Sequence, residues 1–191
     1  MLGAVAIFTY VGGEVAIGSL LVNYFKEPYI LGLAEKDGTV LMAKYWLGAM
    51  IGRFIGSLLT LRLFRPGRVL SAHALVASLL VLTSILTTGP VAAWSLIAVG
   101  LFNSVMFPTI FTIAIGGLGR HTEQGSGILC TAIVGGAFIP LLQGKIADVA
   151  GLHISFVVPI LCYLYIAWYG LRGHPPEQRT PIPATVGLPP G

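Results

Sequence analysis

The sequence predicts an all-α membrane protein with six transmembrane helices, and three observations predict it. Of the 191 residues, 55% are hydrophobic and 9% charged, with mean hydropathy +0.88. A soluble domain carries roughly 25% charge, so there is too little here to cover a water-facing surface. The composition is equally opposed to disorder, which needs low hydrophobicity and high charge. The apolar runs are long and unbroken, whereas membrane strands would alternate over segments of about ten residues. At about 20 residues per crossing, the chain accommodates six spans joined by short turns.

The first span covers 2–25. It contains Glu14, lacks a basic flank before it and has no small-residue cleavage site after it, so it is not a secretory signal. A polar loop at 26–38 leads to a second span at 43–63, and a basic turn ends at Arg68. The third span covers 69–87 and stops at Gly89-Pro90. The fourth covers 92–115, the fifth 127–142 and the sixth 154–171. This defines a bundle over 1–172, followed by 173–191, which holds six of the twelve prolines and reads as a disordered cytoplasmic tail. Arg62, Arg65, Arg68, Arg120, Arg172 and Arg179 share one side; Lys26, Lys36, Lys44 and Lys145 mark the other. The positive-inside rule makes the arginine side, with both termini, cytoplasmic. The segments 49–59 (AMIGRFIGSLL) and 132–142 (AIVGGAFIPLL) match in step, as a three-plus-three repeat requires.

Two ionisable side chains fall deep in the spans. Glu14 is twelve residues into the first and Arg53 ten residues into the second. Each costs about 2.5–3.5 kcal/mol at the bilayer centre unless paired or hydrated. The expectation is a buried ion pair, and the functional alternative is a water-filled cavity where Glu14 binds substrate or a proton. A second stripe on the first span, with Thr9, Ser19 and Asn23, points about 180° away from Glu14. In the fourth span Pro108 removes the amide that would bond the carbonyl of Ser104. A kinked helix with Asn103, Ser104 and Thr112 suits a neutral polyhydroxy ligand; the alternative is a packing kink whose hydroxyls bond their own helix. Gly48, Gly52 and Gly56 form a stripe for close helix packing, and Gln143 reads equally as a cap or a ligand. Cys130 and Cys162 lie inside apolar runs. No nucleophile–base pair, cofactor motif or metal cluster stands out, so an enzyme is not expected. The +4 net charge follows from topology and carries no sign of nucleic-acid binding.

The motifs YVGGEVAIGSLLVNY (10–24), YWLGAMIGRFIGS (45–57), NSVMFPTIFTIAIGGLGRHT (103–122) and AIVGGAFIPLLQGKIAD (132–148) resemble the fucose–proton symporter family of the major facilitator superfamily, which includes bacterial glucose/galactose transporters. The resemblance covers nearly all of 2–172 and implies the carboxyl-terminal six-helix half of a twelve-span inner-membrane sugar transporter. It implies that the first and fourth spans line the sugar cavity and that the second and fifth face the other half. It also implies an amino-terminal half as partner and a coupling proton or sodium ion. Family residues linked to proton coupling lie in that other half and have no counterpart here. Asn23, Asn103, Ser104 and Thr112 are then the expected sugar contacts. The rival reading is a truncated or accessory membrane protein without transport of its own.

Overall fold

A computed structural model describes residues 1–60 and 65–172, with the side chains of 55–60 outside that description. The tail at 173–191, the turn residue Arg62 and the surroundings of Gly56 therefore lie outside the described residues. The first three spans are single helices: α1 (Leu2–Lys26), α2 (Glu35–Thr60) and α3 (Pro66–Leu86). The last three are each broken in two. The fourth is α4 (Gly89–Asn103) and α5 (Met106–Ile115), the fifth α6 (Thr122–Ala132) and α7 (Gly135–Ala150), the sixth α8 (Leu152–Ser155) and α9 (Val157–Arg172). A short 3-10 turn, Gly119–His121, precedes α6. Among the described residues, five spans are long and apolar enough to cross a membrane. α2 has the length, 26 residues, and lower hydropathy because it carries Lys36, Asp37, Lys44 and Arg53.

Local chemistry sets the ends. Pro66 and Pro90 open α3 and α4, where a missing amide costs nothing. Gly89 takes φ +67° just before Pro90, and Gly151 takes φ +92° between α7 and α8, a region open to glycine. Helix α2 begins eight residues before the expected span. Glu35 and Asp37 in its first turn complement the helix dipole, so charges that read as loop belong to the helix. Lys145 and Asp148, also expected in a loop, lie on α7 for the same reason: a helix continues past the hydrocarbon until a breaker, here Gly151, stops it.

The packing has an internal twofold. The first span packs on the fifth and sixth, the fourth on the second and third, and the third against the sixth. Exchanging one with four, two with five and three with six maps these pairings onto each other. Two matching glycines make the point at atomic scale. A Cβ on Gly52 would run into the Leu101 carbonyl oxygen, and one on Gly135 into the Phe8 carbonyl oxygen. Gly52 and Gly135 occupy the same place in the two repeated segments. Gly48 and Gly52 thus face the fourth span of the same bundle: a Cβ on Gly48 would lie 3.5 Å from the Leu101 amide nitrogen, and one on Gly100 would run into the Tyr45 carbonyl oxygen. The stripe is not directed outward to another half, because small residues bring backbones close wherever the nearest helix crosses.

One end of the bundle is tied by Tyr24, whose hydroxyl lies 2.7 Å from Ser84 Oγ and 2.9 Å from His153 Nε2. This joins the first, third and sixth spans. Gly52→Val and Gly135→Val should each destabilise the bundle by about 1–3 kcal/mol through overpacking. Gly144→Ala, where an added Cβ meets nothing within 4 Å, should be neutral. Thermal unfolding in detergent compares the three.

Candidate functional site

The fourth span breaks at Ser104–Val105, between α4 and α5. Pro108 has no amide for the Ser104 carbonyl, and the last residue of α4 is Asn103. Its backbone carbonyl accepts a hydrogen bond from the Tyr10 hydroxyl at 2.9 Å. Its side chain is used at both ends: Nδ2 donates to the Tyr45 hydroxyl at 2.8 Å, and Oδ1 accepts from the Tyr163 hydroxyl at 2.8 Å. Asn103, Tyr45 and Tyr163 are wholly buried and Tyr10 nearly so. One amide residue thereby connects the first, second and sixth spans to the broken fourth.

Glu14 stands one helical turn beyond Tyr10 on the same face of α1. It is half-buried, and it interacts with the Tyr10 hydroxyl. The Tyr10 proton is committed to the Asn103 carbonyl, which leaves the carboxylate with acceptor capacity to spare. The expected ion pair does not form. Arg53 is exposed; its charge acts on Glu14, yet the one ion pair within 4.0 Å among the described residues is Lys26–Glu35 at 3.4 Å. Register explains the separation. Lys26 meets Glu35, Gly38 lies against Val22, and Trp46 against Gly18. Continuing from Trp46–Gly18 puts Glu14 level with Met50, and Arg53 roughly 4–5 Å farther along the helix axis.

The remaining expected contacts are not gathered with Asn103. Asn23 is exposed on the side of the unbroken α1 away from Glu14. Ser104 is buried and donates to the Leu101 carbonyl at 2.8 Å. Pro108 and Thr112 are exposed, and the Thr112 hydroxyl donates to the Pro108 carbonyl at 2.8 Å. Both hydroxyls therefore bond their own span. Gln143 is wholly buried, with Nε2 3.4 Å from Ser155 Oγ and Oε1 unpartnered.

Sequence reasoning missed the three tyrosines, which count as apolar filler in a membrane span. The available signal was that a buried tyrosine must place its hydroxyl, and that Tyr10 precedes Glu14 by four. It also missed Trp46. Trp46, Met50 and Arg53 form one open stripe on α2, all exposed. Gly18 lies on the facing side of α1 with Glu14 one turn before it, while Val11 and Val15 beside them pack toward Gly136 of α7. The two helices meet where the Trp46 indole lies on Gly18, with Cζ2 3.1 Å from an added Cβ. The open surface so formed holds an acid, a base and an aromatic ring beside the tyrosine–asparagine hub.

Comparison with known proteins adds the following. The chain is 55% identical over 173 residues to the glucose/galactose transporter of Brucella abortus biovar 1 (strain 9-941), covering 91% of this chain and 42% of that one. It is 36% identical over 164 residues to the L-fucose-proton symporter of Escherichia coli (strain K12), covering 83% of this chain and 36% of the relative. The crystal structure of the major facilitator superfamily transporter FucP in the outward conformation superposes with TM-score 0.85 at 31% identity, over 89% of this chain and 41% of that one. The chain thus spans about two fifths of the length of the relatives it matches. No protein-family model matches it.

Tyr163→Phe should destabilise the bundle by about 1–2 kcal/mol by leaving the Asn103 Oδ1 unpaired. Asn103→Ala should cost more, and a double-mutant cycle of the two should show coupling above about 0.5 kcal/mol. Additive losses would mean that the bond carries no energy.

Proposed function

The chain belongs to the fucose–proton symporter and glucose/galactose transporter family of the major facilitator superfamily, corresponding to the carboxyl-terminal six-helix half, and we propose that it forms one wall of a sugar pathway working by alternating access. The observation that carries this reading is the open surface at mid-depth, where Glu14, Trp46 and Arg53 stand beside a buried hydrogen-bond hub. A helix bundle in lipid keeps such groups only against a partner or a hydrated cavity. An amino-terminal six-helix half closes over this surface, and the two halves rock about bound sugar while each twofold bundle moves as a unit. The substrate class is a hexose or a fucose-like sugar, following the named activities of the relatives. The driving ion is a proton, as in the Escherichia coli relative; no name among these relatives speaks of sodium. The protein lies in the bacterial inner membrane with its arginine-rich turns and both termini in the cytoplasm.

In this arrangement Asn103 is a structural hub that fixes the angle of the broken fourth span, with Pro108 as its kink. Asn23 and Thr112 remain sugar contacts only if the partner half turns their faces toward the pathway, and Ser104 only if it releases its bond to Leu101. Gly48 and Gly52 hold the second span on the fourth. Glu14 and Arg53 act across the cavity surface through their charges.

Labelled D-glucose and D-galactose uptake into vesicles checks this. The chain co-expressed with an amino-terminal half should accumulate sugar, and a protonophore should abolish accumulation. The chain alone should transport nothing. Absence of uptake in every combination would favour an accessory membrane protein without transport.

A further inference from the structure

The seam between α1 and α2 combines features that packing alone does not require. Trp46 lies with its indole edge on the backbone of Gly18 and keeps 45% of its surface exposed. Its ring meets Tyr45 edge-on, centroids 5.2 Å apart, so the indole is held from behind. Glu14 is four residues before Gly18, one turn of α1, or about 5–6 Å along the axis, on the same face. Arg53 and Met50 continue the exposed stripe on α2 from Trp46. Glycine at 18 lets the ring come this close: an added Cβ would lie 3.1 Å from Cζ2, and the ring would have to shift to admit it.

We propose that Trp46 and Glu14 form a pyranose subsite, with the indole as stacking platform and the carboxylate as acceptor for two neighbouring sugar hydroxyls. The inference rests on the sugar-transport reading above and adds to it the binding residues. The axial C–H bonds of a pyranose carry partial positive charge and meet the negative face of an indole. The hydroxyls round the ring edge are donors, and a carboxylate accepts without donating. One helical turn between ring and acid is a distance a single pyranose covers. Glu14 suits the task because a single phenol neighbour, Tyr10, leaves most of its acceptor capacity free, and no cation among the described residues lies within 4.0 Å. Arg53, on the same open stripe, supplies donors at the far side of the ligand. A sugar held this way lies flat on the seam of the first two spans, away from the kinked fourth span.

The test uses the chain co-expressed with an amino-terminal half in proteoliposomes. Trp46→Phe keeps an aromatic face, and half-saturation for D-galactose should stay within about threefold. Trp46→Leu keeps apolar packing without that face, and should raise the half-saturating concentration about tenfold with maximal rate and protein amount unchanged. Glu14→Ala should weaken binding by a similar factor. Uptake that saturates at the wild-type concentration in Trp46→Leu overturns the subsite while leaving the transport reading intact. Absence of uptake by the wild-type pair removes the transport reading, and the subsite with it. Fluorescence gives a second readout. The sequence has three tryptophans, so the Trp94→Phe/Trp168→Phe variant leaves Trp46 as this sequence's one tryptophan, and the difference from the same variant carrying Trp46→Phe isolates its signal. Its emission should change saturably with D-galactose; an unchanged spectrum under conditions where uptake saturates overturns the proposal.

Discussion

Backbone touching backbone is the constraint on which this bundle depends. Lipid tails are as apolar as leucine, so burial of side chains gives membrane helices little reason to associate. What remains is close packing, and two of its crossings share one solution. Gly52 lets the second span meet the carbonyl of Leu101, and Gly135 lets the fifth meet the carbonyl of Phe8. The crossings are equivalent under the internal twofold, so one structural solution is used twice. Their closeness fixes where the first and fourth spans stand, and hence where every side chain between them points.

Within that frame the polar chemistry follows from a broken helix. Pro108 frees backbone groups in the fourth span, and freed groups in a low-dielectric interior must find partners. Asn103 sits at the break and receives three tyrosines from three spans. The arrangement satisfies the break and locks its geometry in the same step. The kink is thereby a joint with fixed walls. The first span, unbroken, carries Glu14 along a straight axis.

The six spans and their order were legible because hydropathy is a long-window property. Span ends were not. The charges of Glu35 and Asp37 read as loop, while in the fold they start α2. The repeat was legible as two similar segments, and the glycine stripe as a packing surface. The partner of that stripe was not, since a stripe shows that something comes close without naming it. Tyr10, Tyr45 and Tyr163 were hidden for a related reason. Their partner Asn103 is 93, 58 and 60 residues away in sequence, and no local pattern records such a contact. Asn103 was expected as a sugar contact, whereas its amide turns inward to Tyr45 and Tyr163.

The internal twofold has a consequence for anything that lies on the open surface. If Phe8 and Leu101 are equivalent, then so are Glu14 and Phe107, each six residues farther on. Phe107 packs its ring 6.1 Å from Tyr10 and 6.2 Å from Phe111. Duplication therefore produced a symmetric scaffold, and substitution then made it polar on one side and aromatic on the other. A surface of that kind has a handedness. It presents a chiral guest with two distinguishable directions, and stereochemical choice can arise within a single six-helix bundle.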